Sequence, residues 1–326
     1  MKKPKLIKLK WGVAGGGRIT EEKFIPAMKN LKRSSLTAIY SSSAERAKFL
    51  ASDCLHAKPF SDFDEFINQS FDAVYIAGAN DTHYSQVIKA AKAGKHILCE
   101  KPVAMTSEQA EEMYETCKAN NVLYAVDFIF RYHPLIKKTK ELISGQLIGK
   151  ILSINSDFFI DFPPTDNYRY SLEKGGGALR DLASHLIDLH RYFGGEIEEI
   201  YGDAGNVLYK SSVDDFATGI IKLQNGGYGK FSVGFNAKVA PNRIEIVGSK
   251  GAICIEKLLG SEKPAKLVIN VEGEPRRVFR RRTNKFLKMM RSVQRSFSTG
   301  KDALATGYDG LINMKLIEEF ERKWKN

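Results

Sequence analysis

The chain has 326 residues, of which 43% are hydrophobic and 27% charged; this is too long for one small core and suits a globular protein of two domains. No apolar run approaches the ~20 residues that span a bilayer, and Cys54, Cys99, Cys117 and Cys254 form neither a CxxC pair nor a Cys/His cluster, so no metal site is expected and a reduced, cytoplasmic protein is. The net charge of +12 is largely local, because Pro275 to Lys301 holds ten Lys and Arg and no acid, so the charge does not point to nucleic-acid binding by the chain as a whole.

The start, MKKPKLIKLKWGV, has lysines but no uninterrupted apolar stretch after them. Leu6, Ile7 and Leu9 alternate with Lys8 and Lys10, which predicts a strand rather than an export signal. Apolar, β-rich runs at 6–15, 36–41, 71–78, 96–101 and 122–128 then alternate with helix-like segments near 18–31, 43–52, 62–68, 82–93 and 106–120. Such alternation predicts parallel strands with crossover helices, a doubly wound Rossmann sheet over residues 1–128.

The first run ends in Gly15-Gly16-Gly17-Arg18-Ile19-Thr20. Gly15 and Gly17 fill the first two places of a GxGxxG motif, and Thr20 stands in the third. The first glycine makes the turn, and the second lets a pyrophosphate approach the backbone amides at the following helix N-terminus, where Arg18 and Ile19 stand. Phe24, Met28 and Leu31 continue at helical spacing, with Pro26 expected to bend that helix.

An acid after the second strand would bond both ribose hydroxyls of NAD. The chain instead places Ser41, Ser42 and Ser43 there, with Arg46 three residues on. Serines can donate to a 2′-phosphate and an arginine can pair with it, which favours NADP while leaving NAD possible. Ser43 also suits a plain helix cap and Arg46 a solvated face.

Cys99-Glu100-Lys101-Pro102 closes the fourth strand, GANDTH lies at 78–83, and GGGALRDLASHLID runs from 175 to 188. Together with GVAGGGRIT, FRYHPLIKKTKELISGQLIGKI and GYDGLINMKLIEEF, these segments resemble the glucose–fructose oxidoreductase/inositol dehydrogenase family over most of the chain. The resemblance implies an α/β protein: a Rossmann domain followed, over 129–326, by an α+β domain with a large, mostly antiparallel open sheet. It also implies a C-terminal helix (303–323) packing back toward the first domain, and a homodimer or homotetramer formed through the second sheet. Strand-like stretches near 151–160, 197–209, 215–223, 227–236, 242–247, 251–256 and 266–271 agree independently.

Hydride transfer from a secondary alcohol needs a base near the oxygen and positive charge to steady the developing alkoxide. His185 suits a proton carrier at neutral pH. Asp181, four residues earlier, is predicted on the same helical face, able to orient the imidazole or bond a substrate hydroxyl. Lys101 lies at the C-terminal end of a parallel strand, where doubly wound sheets bind ligands. The resemblance gives Lys101, Asp181 and His185 these catalytic parts, places Asn80 and His83 by the nicotinamide and Glu100 by the ribose, and puts Tyr168 and Arg169 where family members often reach substrate, a packed loop being the equal alternative. Asp188 continues the stripe of Asp181 and His185 with its role open, whereas His56, His96, His133 and His190 are read as structural. The expected activity is an NAD(P)-dependent dehydrogenase or reductase of a sugar, cyclic polyol or sugar derivative. A catalytically silent dinucleotide sensor is the alternative.

Phe286, Met290, Val293 and Phe297 share one helical face, with Lys285, Lys288, Arg291 and Arg295 on the other. Such a basic amphipathic helix can bind anionic lipid or nucleic acid, but a core-packed helix with a solvated basic side is the reading expected here, and Arg280 to Arg282 on its approach could instead bind an acidic or phosphorylated substrate.

Overall fold

The computed structural model describes residues 7–261 and 263–325; the start of the chain through Leu6 lies outside them. Close packing divides the chain into two units, Met1–Ile129 with Asn284–Met314, and Phe130–Thr283 with Lys315–Asn326.

In the first unit, β1 (Leu9–Ala14), β2 (Ser34–Tyr40), β3 (Lys58–Phe60), β4 (Ala73–Ile76), β5 (His96–Cys99) and β6 (Tyr124–Val126) form one sheet in the order β3-β2-β1-β4-β5-β6. Every pairing is parallel. Helices cover parallel sheets on both faces, so the central strands are apolar throughout: Ala73, Val74, Tyr75 and Ile76 of β4 are all fully buried. Strand order reverses between β1 and β4, the crevice where doubly wound sheets take ligands.

The stretch predicted as one helix at 18–31 is a π-helical turn, Thr20–Phe24, followed by α1 (Ile25–Lys29). Pro26 falls in the first turn of α1, where a missing N–H costs nothing, so the bend is absorbed by the change of helical pitch. The helices α2 (Ala44–Ser52), α3 (Phe63–Ile67), α4 (Asn80–Lys92) and α5 (Ser107–Ala119) make the crossovers.

The second unit opens with α6 (Pro134–Ser144) and β7 (Ile151–Phe159). A second π-helical turn, Leu179–Ala183, leads into α7 (Ser184–Gly194). Then come β8 (Ile197–Gly205), β9 (Phe216–Leu223), β10 (Tyr228–Gly234), β11 (Arg243–Gly248), β12 (Gly251–Glu256), β13 (Ala265–Val271) and β14 (Arg277–Arg281). They form an eight-stranded sheet, β14-β13-β12-β11-β7-β10-β9-β8, antiparallel except between β7 and β10. Side chains alternate in burial, as expected of a sheet covered on one face. Ala217, Ile221 and Leu223 of β9 are fully buried, whereas Ile220 is 42% exposed. The β14 edge strand was not visible as a strand in the sequence, because three of its five residues are arginine and its two apolar residues, Val278 and Phe279, are adjacent rather than alternating.

The basic segment continues as α8 (Lys285–Thr299), which belongs to the first unit. Phe286, Met290, Val293 and Phe297 are buried, and Phe297 stacks on Trp11 of β1 with ring centroids 5.8 Å apart. Lys288, Arg291 and Arg295 remain exposed. The final helix is α9 (Gly307–Lys325). No described helix is long and apolar enough to cross a membrane, and no described cluster of His, Cys, Asp and Glu could hold a metal ion.

Candidate active site and dinucleotide cradle

At the mouth of β1 the three glycines have separate duties. Gly15 has φ +135°, and a side chain there would strike the Ala77 carbonyl at the end of β4. A Cβ on Gly16 would lie 2.6 Å from Ser41 Oγ. Gly17 meets nothing within 4 Å, so its backbone forms an open ledge. Thr20, fully buried, donates its hydroxyl to the Gly15 carbonyl at 2.7 Å. The residue in the third glycine position therefore staples the turn closed. An open glycine backbone leading into a helical turn, at the sheet's crossing point, fits a dinucleotide pyrophosphate.

Around this turn, Arg46 Nε donates to the Gly16 carbonyl at 2.8 Å, and its guanidinium pairs with the Glu21 carboxylate. Ser43 caps α2 by accepting from Arg46 N. Ser41 is buried and Ser42 exposed. The Arg18 side chain is exposed and pairs with Glu22 at 2.9 Å, so only its backbone belongs to the turn, as does that of Ile19.

Asn80 opens α4 and is buried. His83, one turn on, has no exposed surface; Nδ1 lies 3.0 Å from the Pro102 carbonyl and Nε2 3.3 Å from the Gly78 carbonyl. Burial holds its pKa below the ordinary value, and the imidazole sits between the Glu-Lys-Pro turn and the loop that follows β4. Glu100 and Lys101 follow β5 directly and are half-buried. The Lys101–Pro102 bond is cis. Tyr75 of β4 donates its hydroxyl to Glu100, and the Lys101 amide donates to the same carboxylate at 3.3 Å.

The second unit gathers three further predicted residues. Gly175 and Gly177 have φ of +68° and +112°. A side chain on Gly176 would strike the Arg169 carbonyl, and one on Gly177 the Asp214 carboxylate. The triple glycine thus permits close packing. Gly177 N donates to the Arg169 carbonyl at 2.9 Å. Asp214 accepts from Leu179 N at 2.8 Å and fastens the start of the π-helical turn. Burial lifts its pKa to about 6.

That turn, rather than the expected regular helix, carries Asp181, and His185 stands in the first turn of α7, which follows it. Single π-helical turns recur at functional sites because the extra residue re-aims side chains. Arg169 Nε donates to Asp181 Oδ2 at 2.8 Å, so two residues predicted to reach substrate meet each other. The Arg169 guanidinium also covers the rings of Tyr168 and Phe162. His185 is half-buried, its ring edge-on to Phe130 at 4.8 Å and 6.5 Å from Phe158.

Asp188 is given a structural part: Arg131 grips it with two bonds, 2.6 and 3.0 Å long, and both side chains are buried. His190 likewise ties α7 to β7 through the Leu186 and Ile154 carbonyls. Sequence reasoning missed Asp214, Arg131 and the Tyr75–Glu100 bond. The one available signal was the acidic pair Asp214-Asp215 set just before a strand.

Comparison with known proteins gives concordant results. Residues 9–128 match an oxidoreductase family with an NAD-binding Rossmann fold, and residues 136–254 match the GFO/IDH/MocA C-terminal domain. The chain is 28% identical over 316 residues to a 1,5-anhydro-D-fructose reductase from Ensifer adhaerens, covering 91% of this chain and 94% of the relative. A 3-ketoreductase from Actinomadura kijaniata, solved with NADP and TDP-benzene, superposes with a TM-score of 0.85 at 22% identity, over 97% of this chain and 98% of that one. A levoglucosan dehydrogenase solved with NADH and levoglucosan gives a TM-score of 0.86 at 23% identity, over 97% and 96%.

Proposed function

The chain belongs to the glucose–fructose oxidoreductase/inositol dehydrogenase family, and from that premise we propose that it is an NAD(P)-dependent oxidoreductase acting on a secondary alcohol or ketone of a sugar, cyclic polyol or sugar derivative. The observation that carries this reading is the cradle at Gly15–Thr20, built open at Gly17 and stapled by Thr20. The bound dinucleotide supplies or accepts the hydride, which no protein side chain can do.

The chain's own residues supply the rest. The backbone from Gly17 to Ile19 holds the pyrophosphate, with Asn80 and Glu100 set for the nicotinamide and ribose ends and His83 bracing the turn that carries Lys101. The Lys101 ammonium steadies negative charge on the reacting oxygen. His185 accepts the hydroxyl proton during oxidation and returns it during reduction. Asp181, aligned by Arg169, accepts from a substrate hydroxyl.

NADP is the preferred cofactor in this reading, with NAD admitted. Its support is the absence of a carboxylate after β2, where Ser41, Ser42 and Ser43 stand with Arg46 close by. Among the relatives, NADP and NADH both occur. The exposed face of the second sheet carries Tyr201, Ile220 and Tyr228, exposed by 42%, 42% and 53%. Ile220 lies directly opposite Tyr201 across the β8–β9 pair. This face forms the homodimer or homotetramer. All four cysteines are free, which suits a cytoplasmic enzyme. Quenching of protein fluorescence by NADPH and NADH, followed by absorbance assays against a panel of polyols and ketosugars, tests the assignment. Binding of neither cofactor would refute it.

A further inference from the structure

Behind the Glu-Lys-Pro turn, in the first unit, lie two acids with too few protons between them. Asp127 follows β6 and is 3% exposed. Its Oδ2 is 3.5 Å from the Tyr75 hydroxyl, a distance at which little bonding remains. The single Tyr75 proton is already directed to Glu100. Asp127 Oδ1 is buried and accepts no hydrogen bond from any described group, and the Tyr75 hydroxyl lies between the Asp127 and Glu100 carboxyls, which brings the two acids side by side. A buried carboxylate oxygen with no donor loses its hydration without recompense, and two anions side by side add repulsion. One additional proton removes both penalties.

We propose that Asp127 is kept as the neutral acid and donates its proton to Glu100, so that the Tyr75–Asp127–Glu100 cluster bears one negative charge beside the single positive charge of Lys101. Asp127 is then a positioning residue, acting on the Glu-Lys-Pro turn through Glu100. The groups surrounding it are consistent. Tyr75 reaches in from β4, Cys99, Glu100 and Lys101 from the end of β5, Tyr124 from β6, and the buried His83 from α4. Lys101 is the one positively charged group among these. Burial, followed by the charge of Glu100, pushes the Asp127 carboxyl well above its ordinary range, and the same two causes push the Tyr75 hydroxyl up.

The link to Lys101 rests on the oxidoreductase reading, but the proton itself does not. Infrared spectra of the full-length protein, without cofactor or substrate, read it directly at pH 8, above the Asp214 value of about 6. A protonated-carboxyl carbonyl band that shifts in heavy water is expected, and Asp127→Asn should remove it while keeping the fold, since an amide can make the same donation to Glu100. Glu100→Gln provides a second readout, because the same band should shift or vanish once its acceptor is neutral. A spectrum unchanged in Asp127→Asn, or unchanged in Glu100→Gln, would overturn the proposal. Failure of NADPH or NADH to bind would refute the oxidoreductase reading and leave the infrared result standing. For the positioning role, Asp127→Asn should hold NADPH within about threefold of the parent affinity and Asp127→Ala should lose about tenfold or more. Equal losses in both variants would contradict it.

Discussion

Arg169 Nε donates to Asp181 Oδ2 at 2.8 Å, with Arg169 about one-third and Asp181 about one-tenth exposed. The pair joins the loop before the triple glycine to the π-helical turn after it, and the glycines allow that approach. A charge-assisted bond of this kind is worth about 1.5–3 kcal/mol. Arg169→Ala should therefore raise KM for a responsive polyol by roughly ten- to a hundredfold, with a smaller effect on kcat, because it loosens the carboxylate that receives substrate. Steady-state kinetics decide this. A fall in kcat at constant KM would instead place Arg169 at the reacting atoms.

Asp214 fastens the same turn from the other side. Its ordinary pKa is 3.8 and burial lifts it to about 6 in the folded protein. The folded state holds this proton more tightly than the unfolded chain does, so the resulting stability is full below the unfolded value and is lost as pH rises through the folded one. The change amounts to at most about 3 kcal/mol across that window. Asp214→Asn should flatten the dependence, as read from urea midpoints between pH 4 and 6. An equal slope in parent and variant would show that Asp214 is not its source.

The fold was legible where the physics is local. Buried parallel strands show as short apolar runs, and those at 71–78 and 96–101 enclose β4 (Ala73–Ile76) and β5 (His96–Cys99). The glycine turn was legible because steric demands at Gly15 have few other solutions. Features set by partners distant in sequence were not. Arg131 and Asp188 meet across 57 residues, and Leu179 and Asp214 across 35. Neither residue of such a pair has a neighbour that announces the other. The π-helical turns at Thr20–Phe24 and Leu179–Ala183 left no pattern, since one extra residue per turn is too short a disturbance to alter periodicity.

Cofactor choice can be tested at Arg46. Its guanidinium now holds the Gly16 carbonyl and Glu21. Arg46→Ala should weaken NADPH binding by about ten- to a hundredfold, the worth of one charge-assisted contact, and NADH binding much less. Isothermal titration with each cofactor provides the comparison. Equal losses would assign Arg46 to holding the glycine turn alone.

The exposed sheet face gives a separate test. Ile220 lies between Tyr201 on β8 and Lys230 on β10. Placing a charge there, as in Ile220→Glu, should convert an oligomer to monomers in sedimentation velocity while circular dichroism stays unchanged. A parent protein that sediments as a monomer would contradict assembly through this face.

The most direct measurement is the turnover of His185→Ala beside the parent protein, with NADPH binding recorded on the same samples. A proton carrier contributes roughly 10²–10⁴-fold to such a reaction. The expected result is a fall in kcat of that size with NADPH affinity retained. Turnover equal to that of the parent would contradict the central claim.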